Sequence, residues 1–309
     1  MAQARQLKLE KKYIDCYPYA GHHFNGQKAE RYIFRLKRLD KPIEASAYQQ
    51  QLNGKTIKVA IELSSMFSCP MGCKFCASGS LGKVSFLTVA EILEQGKLIA
   101  KTITKSNLLH FCFQGIGEPS LISANIIQVA KKLLKLYPKA KFKVSTMGCN
   151  PQGIVELADN NIPWEAMQIT LPHYQEKKLK EIFTNASQYN LKKVLSAVSK
   201  IRKLRPEVRI KFNYVCIKGF NDNKKTIKGV VNLLRRNNFF LNDETELKIS
   251  YLNPTDPAEY FKLEPVKAEK HYELLRYAQK ELGVKNVYVF GAMKNIRVGC
   301  GQLIKNNTN

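Results

Sequence analysis

The sequence predicts an α/β fold, a parallel sheet rolled into a full or partial (β/α) barrel with a short N-terminal β-hairpin extension. Three observations carry this reading. From Thr56 onward, apolar strand-like runs alternate with helical segments throughout. The cysteine-rich loop after 63, the Gly115–Pro119 turn, Gly148-Cys149 and Asn253-Pro254 all follow strands, which in such a fold puts them on one face. Residues before about 54 break the alternation. With 309 residues, of which 44% are hydrophobic, the chain can bury a substantial core.

The elements follow in order. Arg31–Lys37 and Ile43–Tyr48 form the hairpin, behind a basic lead. Thr56–Leu63 (TIKVAIEL) alternates as a strand. A helix over 88–104 opens on Thr88 and Glu91, a T-x-x-E capping box. Strand 108–113 runs into GIGEP, and helix 123–136, strand 141–146, a short helix at 152–158 and strand 166–171 come next. Helix 187–203, strand 208–216, helix 223–236, strand 246–251, helix 266–282 and strand 286–290 complete the rhythm. With no repeat or linker, this reads as one core domain over 55–309 and a small addition over 1–54.

No apolar run is long enough for a spanning helix, and the N-terminus lacks the apolar stretch of a secretory signal, so a cytoplasmic protein is expected. There, eight cysteines read as metal ligands, catalytic thiols or core residues rather than disulfides. Lys and Arg number 50 against 25 Asp and Glu, a net +25 that exceeds what solvation needs and points to a polyanion. RNA or DNA is the first candidate; an acidic membrane surface is second, with no amphipathic anchor to support it.

Cys69, Cys73 and Cys76 are spaced Cx3Cx2C. A structural zinc site wants four protein ligands, so the fourth would come from afar, from His22, His23 or Cys300. A four-iron–four-sulfur cluster on three thiolates instead keeps one iron open. This spacing after a first barrel strand, with Phe75 before the last cysteine, resembles the radical-SAM superfamily. The resemblance implies a 4Fe-4S cluster, S-adenosylmethionine chelated to the open iron, and its one-electron cleavage to a 5′-deoxyadenosyl radical. The two glycines of GIGEP let backbone approach a ligand, and its carboxylate can accept from an ammonium group.

A closer resemblance, from about residue 31 to Leu303, is to the RlmN/Cfr methyltransferases, which methylate an adenine ring carbon in RNA. Its most specific pieces are SCPMGCKFCASG (68–79), GIGEPSL (115–121), VSTMG (144–148), ITL (169–171), YLNP (251–254) and GCGQL (299–303). It implies that Cys69, Cys73 and Cys76 hold the cluster, and that Gly117, Glu118, Ser145, Thr170, Leu171, Pro172 and Asn253 contact the cofactor. Thr170 stands for a usual serine and Pro172 for a usual histidine. Cys300 matches the cysteine that carries the methyl group, and Glu44, in IEAS, a glutamate assigned as proton acceptor. Implied partners are rRNA or tRNA and a reducing electron donor such as flavodoxin. A monomer is expected.

The chain departs from that pattern at Glu62, where the family has the second cysteine that releases the covalent intermediate as a disulfide. A carboxylate cannot do so. Another thiol could take over, Cys149 being better placed than Cys112 or Cys216, which lie within expected strands and read as core. Glu62 could act as a base, or the cofactor machinery could serve another reaction. The segment before the core is also shorter than the family's usual helical accessory domain, which leaves 131–143, 192–211 and 224–236 as candidate basic surfaces. Two readings compete with RNA methylation: a radical-SAM enzyme on a non-RNA substrate, and a zinc-stabilised RNA-binding protein without catalysis. His22, His23, His173 and Trp164 carry no assigned role.

Overall fold

In strands of this chain, one side chain in two is apolar and the next is polar, and that alternation sets the architecture. The computed structural model describes residues 7–17, 27–39, 41–52, 55–103, 108–185, 187–242 and 244–290. They form one ten-stranded sheet in which every strand pairs with its neighbours in sequence. Strands β1 (Leu7–Tyr17), β2 (Gln27–Leu36), β3 (Lys41–Leu52) and β4 (Lys55–Leu63) are an antiparallel meander. From β4 the sheet turns parallel through β5 (Leu109–Phe113), β6 (Lys141–Thr146), β7 (Trp164–Thr170), β8 (Arg209–Cys216), β9 (Thr245–Tyr251) and β10 (Val287–Phe290). Residues of β3 and of β10 line the same cavity, so the sheet curls into a partial barrel.

The crossovers are α1 (Val89–Thr102), α2 (Ser123–Leu136), α3 (Pro151–Ala158), α4 (Glu176–Ile182), α5 (Leu191–Leu204), α6 (Lys224–Arg236), α7 (Asp256–Tyr260) and α8 (Ala268–Lys280). The expected capping box forms: the Thr88 hydroxyl accepts from Glu91 N at 3.2 Å, and the Glu91 carboxylate accepts from Thr88 N at 2.8 Å. Arg38, just beyond β2, also donates to Glu91 at 2.7 Å, which ties the meander to the barrel.

The core is the shell between sheet and helices. Ile61, Phe111, Phe142, Met167, Phe212 and Ile249 point outward and are buried on Ile92, Val129, Ile154, Val198 and Val231 of the helices. Inward positions are polar instead: Glu62, Lys143, Gln168, Lys211 and Lys248. At about 25 cal/mol per Å² of apolar area removed from water, the outer shell supplies the stability.

The expected barrel strands and helices coincide with the observed ones to within a few residues, except the helix expected from 187, which begins at Leu191. Three elements were not expected. β1 occupies what read as a basic lead, because edge strands carry lysines that block further pairing; Arg35 of β2 pairs with its Glu10 at 2.5 Å. The hairpin strands are longer than expected, and α4 and α7, of seven and five residues, are too short for periodicity to reveal.

Candidate active site

The chemistry-bearing loops converge at the C-terminal ends of the parallel strands. The loop after β4 carries the three cysteines, and two neighbours hold it. Ser65 N and Met66 N donate to Ile116 O of the GIGEP turn at 2.8 and 3.0 Å. On the other side Cys73 bridges Phe183, Lys74 N donates to Ile182 O at 3.0 Å, and the Thr184 hydroxyl donates to Gly72 O at 2.6 Å. Gly72 sits at φ +59°, and a Cβ there would lie 2.6 Å from Thr184 Oγ1 and 2.8 Å from Asn185 Nδ2. Only glycine satisfies both the backbone and the space.

Cys69, Cys73 and Cys76 are unbridged and line one cavity of about 380 Å³. Burial pushes the Cys69 and Cys73 thiols well up, helped by Cys76, and raises Cys76 too, where hydrogen bonds from Ser78 oppose the shift. Three half-buried thiols that resist ionisation together need an external cationic centre before they become thiolates. A cluster's irons supply that, and the donor set fits it. Among the described residues, no group of three or more His, Cys, Asp and Glu is placed to hold a single metal ion.

Gly117, Glu118, Ser145, Thr170 and Asn253 also line the cavity. Gly117 has φ +121°, and a Cβ on it would run into the Ser65 hydroxyl. The Glu118 carboxylate is buried and accepts from Ser120 N (3.1 Å), Ser120 Oγ (2.7 Å), Met147 N (3.0 Å) and the Thr146 hydroxyl. Burial raises its proton affinity and these donors oppose the shift. The carboxylate therefore also locks the GIGEP turn to the end of β6. Leu171 and Pro172 lie just behind the cavity wall: Leu171 N donates to Asn213 O at 2.9 Å, and Pro172 O accepts from Asn221 at 2.8 Å. Glu44 is buried in β3, 3.5 Å from Arg31, and is not among the cavity's lining residues. Cys300, His22 and His23 lie outside the described residues.

Glu62 faces the cavity. Ser46 donates to Glu62 Oε2 at 2.9 Å and Gln114 to Oε1. Burial pushes its carboxyl up to about 7, against the pull of Gln114, Ser46 and two nearby lysines. Cys112, read from sequence as core, is its direct partner in the β4–β5 ladder and lines the cavity, with its thiol raised to about 12 by burial. Cys149 is half-buried beside Ser120 (3.7 Å), also raised to about 12 by burial, and is not a lining residue. Cys216 is core.

Below Glu62 the lumen is strongly charged. Glu165 accepts from Arg209 (2.9 Å) and Lys58 (3.3 Å) on one carboxylate oxygen, and the other lies within ion-pair distance of His110 (2.5 Å) and Lys143 (3.2 Å). Burial alone would raise the Glu165 carboxyl, but His110 and the lysines hold it far below the usual range. Burial and Lys143 bring Lys58 down to about 8. Higher up, Lys248 donates to Gln168 (3.2 Å), which donates to Ser145 (2.9 Å). The signal for this lumen was present in KFKVST, RIKFNYVC and TELKISY, where polar residues recur at every second place in strands of a parallel sheet.

The radical SAM superfamily model matches residues 63–229. A protein of Thermus thermophilus named a probable dual-specificity RNA methyltransferase RlmN is 29% identical over 282 residues, 88% of this chain and 73% of that one. Its namesake in Bifidobacterium adolescentis is 25% identical over 281 residues, 87% of this chain and 70% of its own. The crystal structure of a radical SAM methyltransferase from Sphaerobacter thermophilus superposes with a TM-score of 0.76, covering 96% of this chain and 81% of that one at 18% identity. At that identity the likeness is one of fold.

Proposed function

The chain belongs to the radical SAM superfamily, as an enzyme resembling the RlmN/Cfr methyltransferases, and on that premise we propose that it methylates an adenine ring carbon of RNA. One observation carries the reading: Cys69, Cys73, Cys76, Gly117, Glu118, Ser145, Thr170 and Asn253, matched to that family from sequence, line a single cavity.

Cys69, Cys73 and Cys76 would hold the 4Fe-4S cluster. Gly117, Glu118, Ser145, Thr170 and Asn253 would hold S-adenosylmethionine, with Leu171 and Pro172 shaping the wall behind. When bound, the two supply one-electron chemistry and the methyl group; the electron would come from a flavodoxin-like donor. Gly117 leaves room for close approach of a ligand to backbone. Glu118, held by Ser120, Thr146 and Met147, would present a carboxyl oxygen in fixed orientation as acceptor to an ammonium group. Cys300 would carry the methyl group, and its bond to the transferred carbon would be broken by a second thiol that takes Cys300 into a disulfide, a part for which Cys112 lines the cavity beside Glu62.

Glu62 accepts a proton in this reading. It faces the cavity, two donors fix its orientation, and a carboxyl near 7 is matched to proton transfer at neutral pH. Glu44, paired with Arg31, is the competing acceptor. The charge surplus of +25 supports a phosphate-rich substrate.

Anaerobic reconstitution followed by peptide mass spectrometry tests the proposal. Incubation with S-adenosylmethionine should place a methyl on Cys300, and iron analysis should give about four irons per chain. An unmodified Cys300 in iron-replete, cofactor-saturated protein sinks the methyl-carrier reading.

A further inference from the structure

The most exposed aromatic side chain among the described large hydrophobic residues belongs to a segment fastened to the cysteine loop. Tyr260 is 80% exposed, and its neighbour Phe261 is 41% exposed. Their rings meet edge to face, with centroids 5.0 Å apart and planes at 86°. Tyr260 ends α7 and Phe261 follows it, and the helix's N-cap Thr255 accepts from Ala258 N at 3.1 Å and donates to Phe75 O at 3.3 Å. Phe75 lies between Cys73 and Cys76, so the aromatic pair is anchored on the cysteine loop itself. Lys74 from that loop sits 5.1 Å over the Phe261 ring.

The segment is fastened on its far side too. Phe261 N donates to Pro257 O (2.9 Å) and Leu263 N to Ala258 O (2.7 Å), which closes the turn. Lys218 N then donates to Glu264 O (3.0 Å), and Ile217 bridges Pro265. Two rings are thus presented to solvent on a braced backbone, with Lys74 and Lys262 adjoining them. Asp256 and Glu259 occupy α7 itself.

We propose that Tyr260 and Phe261, with Lys74, form a stacking platform for an unpaired nucleobase of the RNA next to the base that enters the cavity. The proposal rests on the RNA reading above and names how that RNA is held. A nucleobase is the occupant that uses both features of the site. Its π-face covers exposed ring area, and the phosphate attached to it meets a lysine in a chain of net charge +25. A duplex keeps its bases stacked on one another and cannot use the platform.

The experiment is an anisotropy titration of reconstituted protein with a short labelled single-stranded RNA and with its duplex, each at several salt concentrations. Tyr260→Leu and Phe261→Leu should each weaken single-strand binding roughly 5- to 30-fold. Duplex affinity, the salt slope and iron content should stay as in wild type, and Tyr260→Phe should bind within about twofold of wild type because the ring remains. Single-strand affinity unchanged in both leucine variants overturns the platform while leaving the RNA reading intact. Equal loss on single strand and duplex also overturns it, in favour of a general electrostatic or protein-contacting role. Absence of salt-dependent affinity for either RNA in wild type overturns the RNA reading itself.

Discussion

Ser46 and Glu62 are direct partners in the β3–β4 ladder, and the serine hydroxyl donates to the glutamate carboxylate at 2.9 Å. With Gln114 on the other oxygen, the carboxylate cannot rotate freely, and its rim faces the cavity. The first prediction concerns this group as a base. Its carboxyl is raised to about 7, so the active, ionised form grows in as pH rises through that value. Methyl transfer to RNA should rise across the same range in wild type. Glu62→Gln should lose roughly 10²-fold or more and lose the pH limb. If Glu44→Gln produces that result and Glu62→Gln does not, the acceptor is Glu44.

The same shift makes a stability prediction. The folded carboxyl holds its proton up to about 7, while an unfolded glutamate releases it near 4.3. Between those values the folded state binds more protons, so this group's contribution to stability falls as pH rises and is gone above about 7. The integrated effect is on the order of 3 kcal/mol. Glu62→Gln removes it, so its thermal midpoint relative to wild type should climb between about pH 5 and about pH 8. A constant difference between the two proteins would show that Glu62 titrates normally.

Gly72 is the third test. Gly72→Ala forces a Cβ to 2.6 Å from Thr184 Oγ1 on a backbone at φ +59°. The loop must shift, and Cys73 shifts with it. Iron per chain after anaerobic reconstitution should fall by half or more. Gly82→Ala is the control: it lies in the same loop at φ +101° with nothing within 4 Å, so it carries backbone strain without the clash. Equal iron loss in both would assign the effect to strain alone.

Cys149 offers a fourth. Its thiol is pushed up to about 12 by burial and it does not line the cavity, which disfavours a thiolate that stands in for the missing cysteine. Cys149→Ala should keep turnover and iron content; Cys73→Ala should lose iron. A dead Cys149→Ala enzyme with full iron would restore the replacement-thiol idea.

Asn221 is the fifth. Fully buried, it donates to Pro172 O and Val215 O at 2.8 Å and accepts from Ile217 N at 2.7 Å, which joins the loops after β7 and β8. Asn221→Ala leaves three backbone groups without partners and should cost roughly 2–4 kcal/mol in denaturant unfolding. A change within about 0.5 kcal/mol would mean that the loops rearrange freely.

Much of this was legible in the chain. The alternation of strands and helices located β4 to β10 and most crossovers, because long periodic segments report their partners directly. The cysteine spacing and GIGEP named the site because loop chemistry is local in sequence. Other parts were not local. β1 reads as a basic lead because its lysines serve an edge. Cys112 reads as core because which face of a strand points inward is decided only when the sheet curls. Asn221 stands out only once the loops after β7 and β8 are brought together, and the role of Glu118 as a clamp on β6 depends on Thr146 and Met147 arriving beside it.

The division of each barrel strand into an apolar outer face and a polar inner one has a consequence for descent with modification. Ile61, Phe111 and Met167 belong to the packed shell, where a change of one methylene is felt. Glu62, Lys143 and Gln168 belong to the polar inner face that lines the cavity, held by hydrogen bonds and ion pairs rather than by the packing of the shell. A lineage can thus swap sulfur for carboxylate at position 62 without refolding anything, and a scaffold so partitioned is free to wander between chemistries while its architecture stands still.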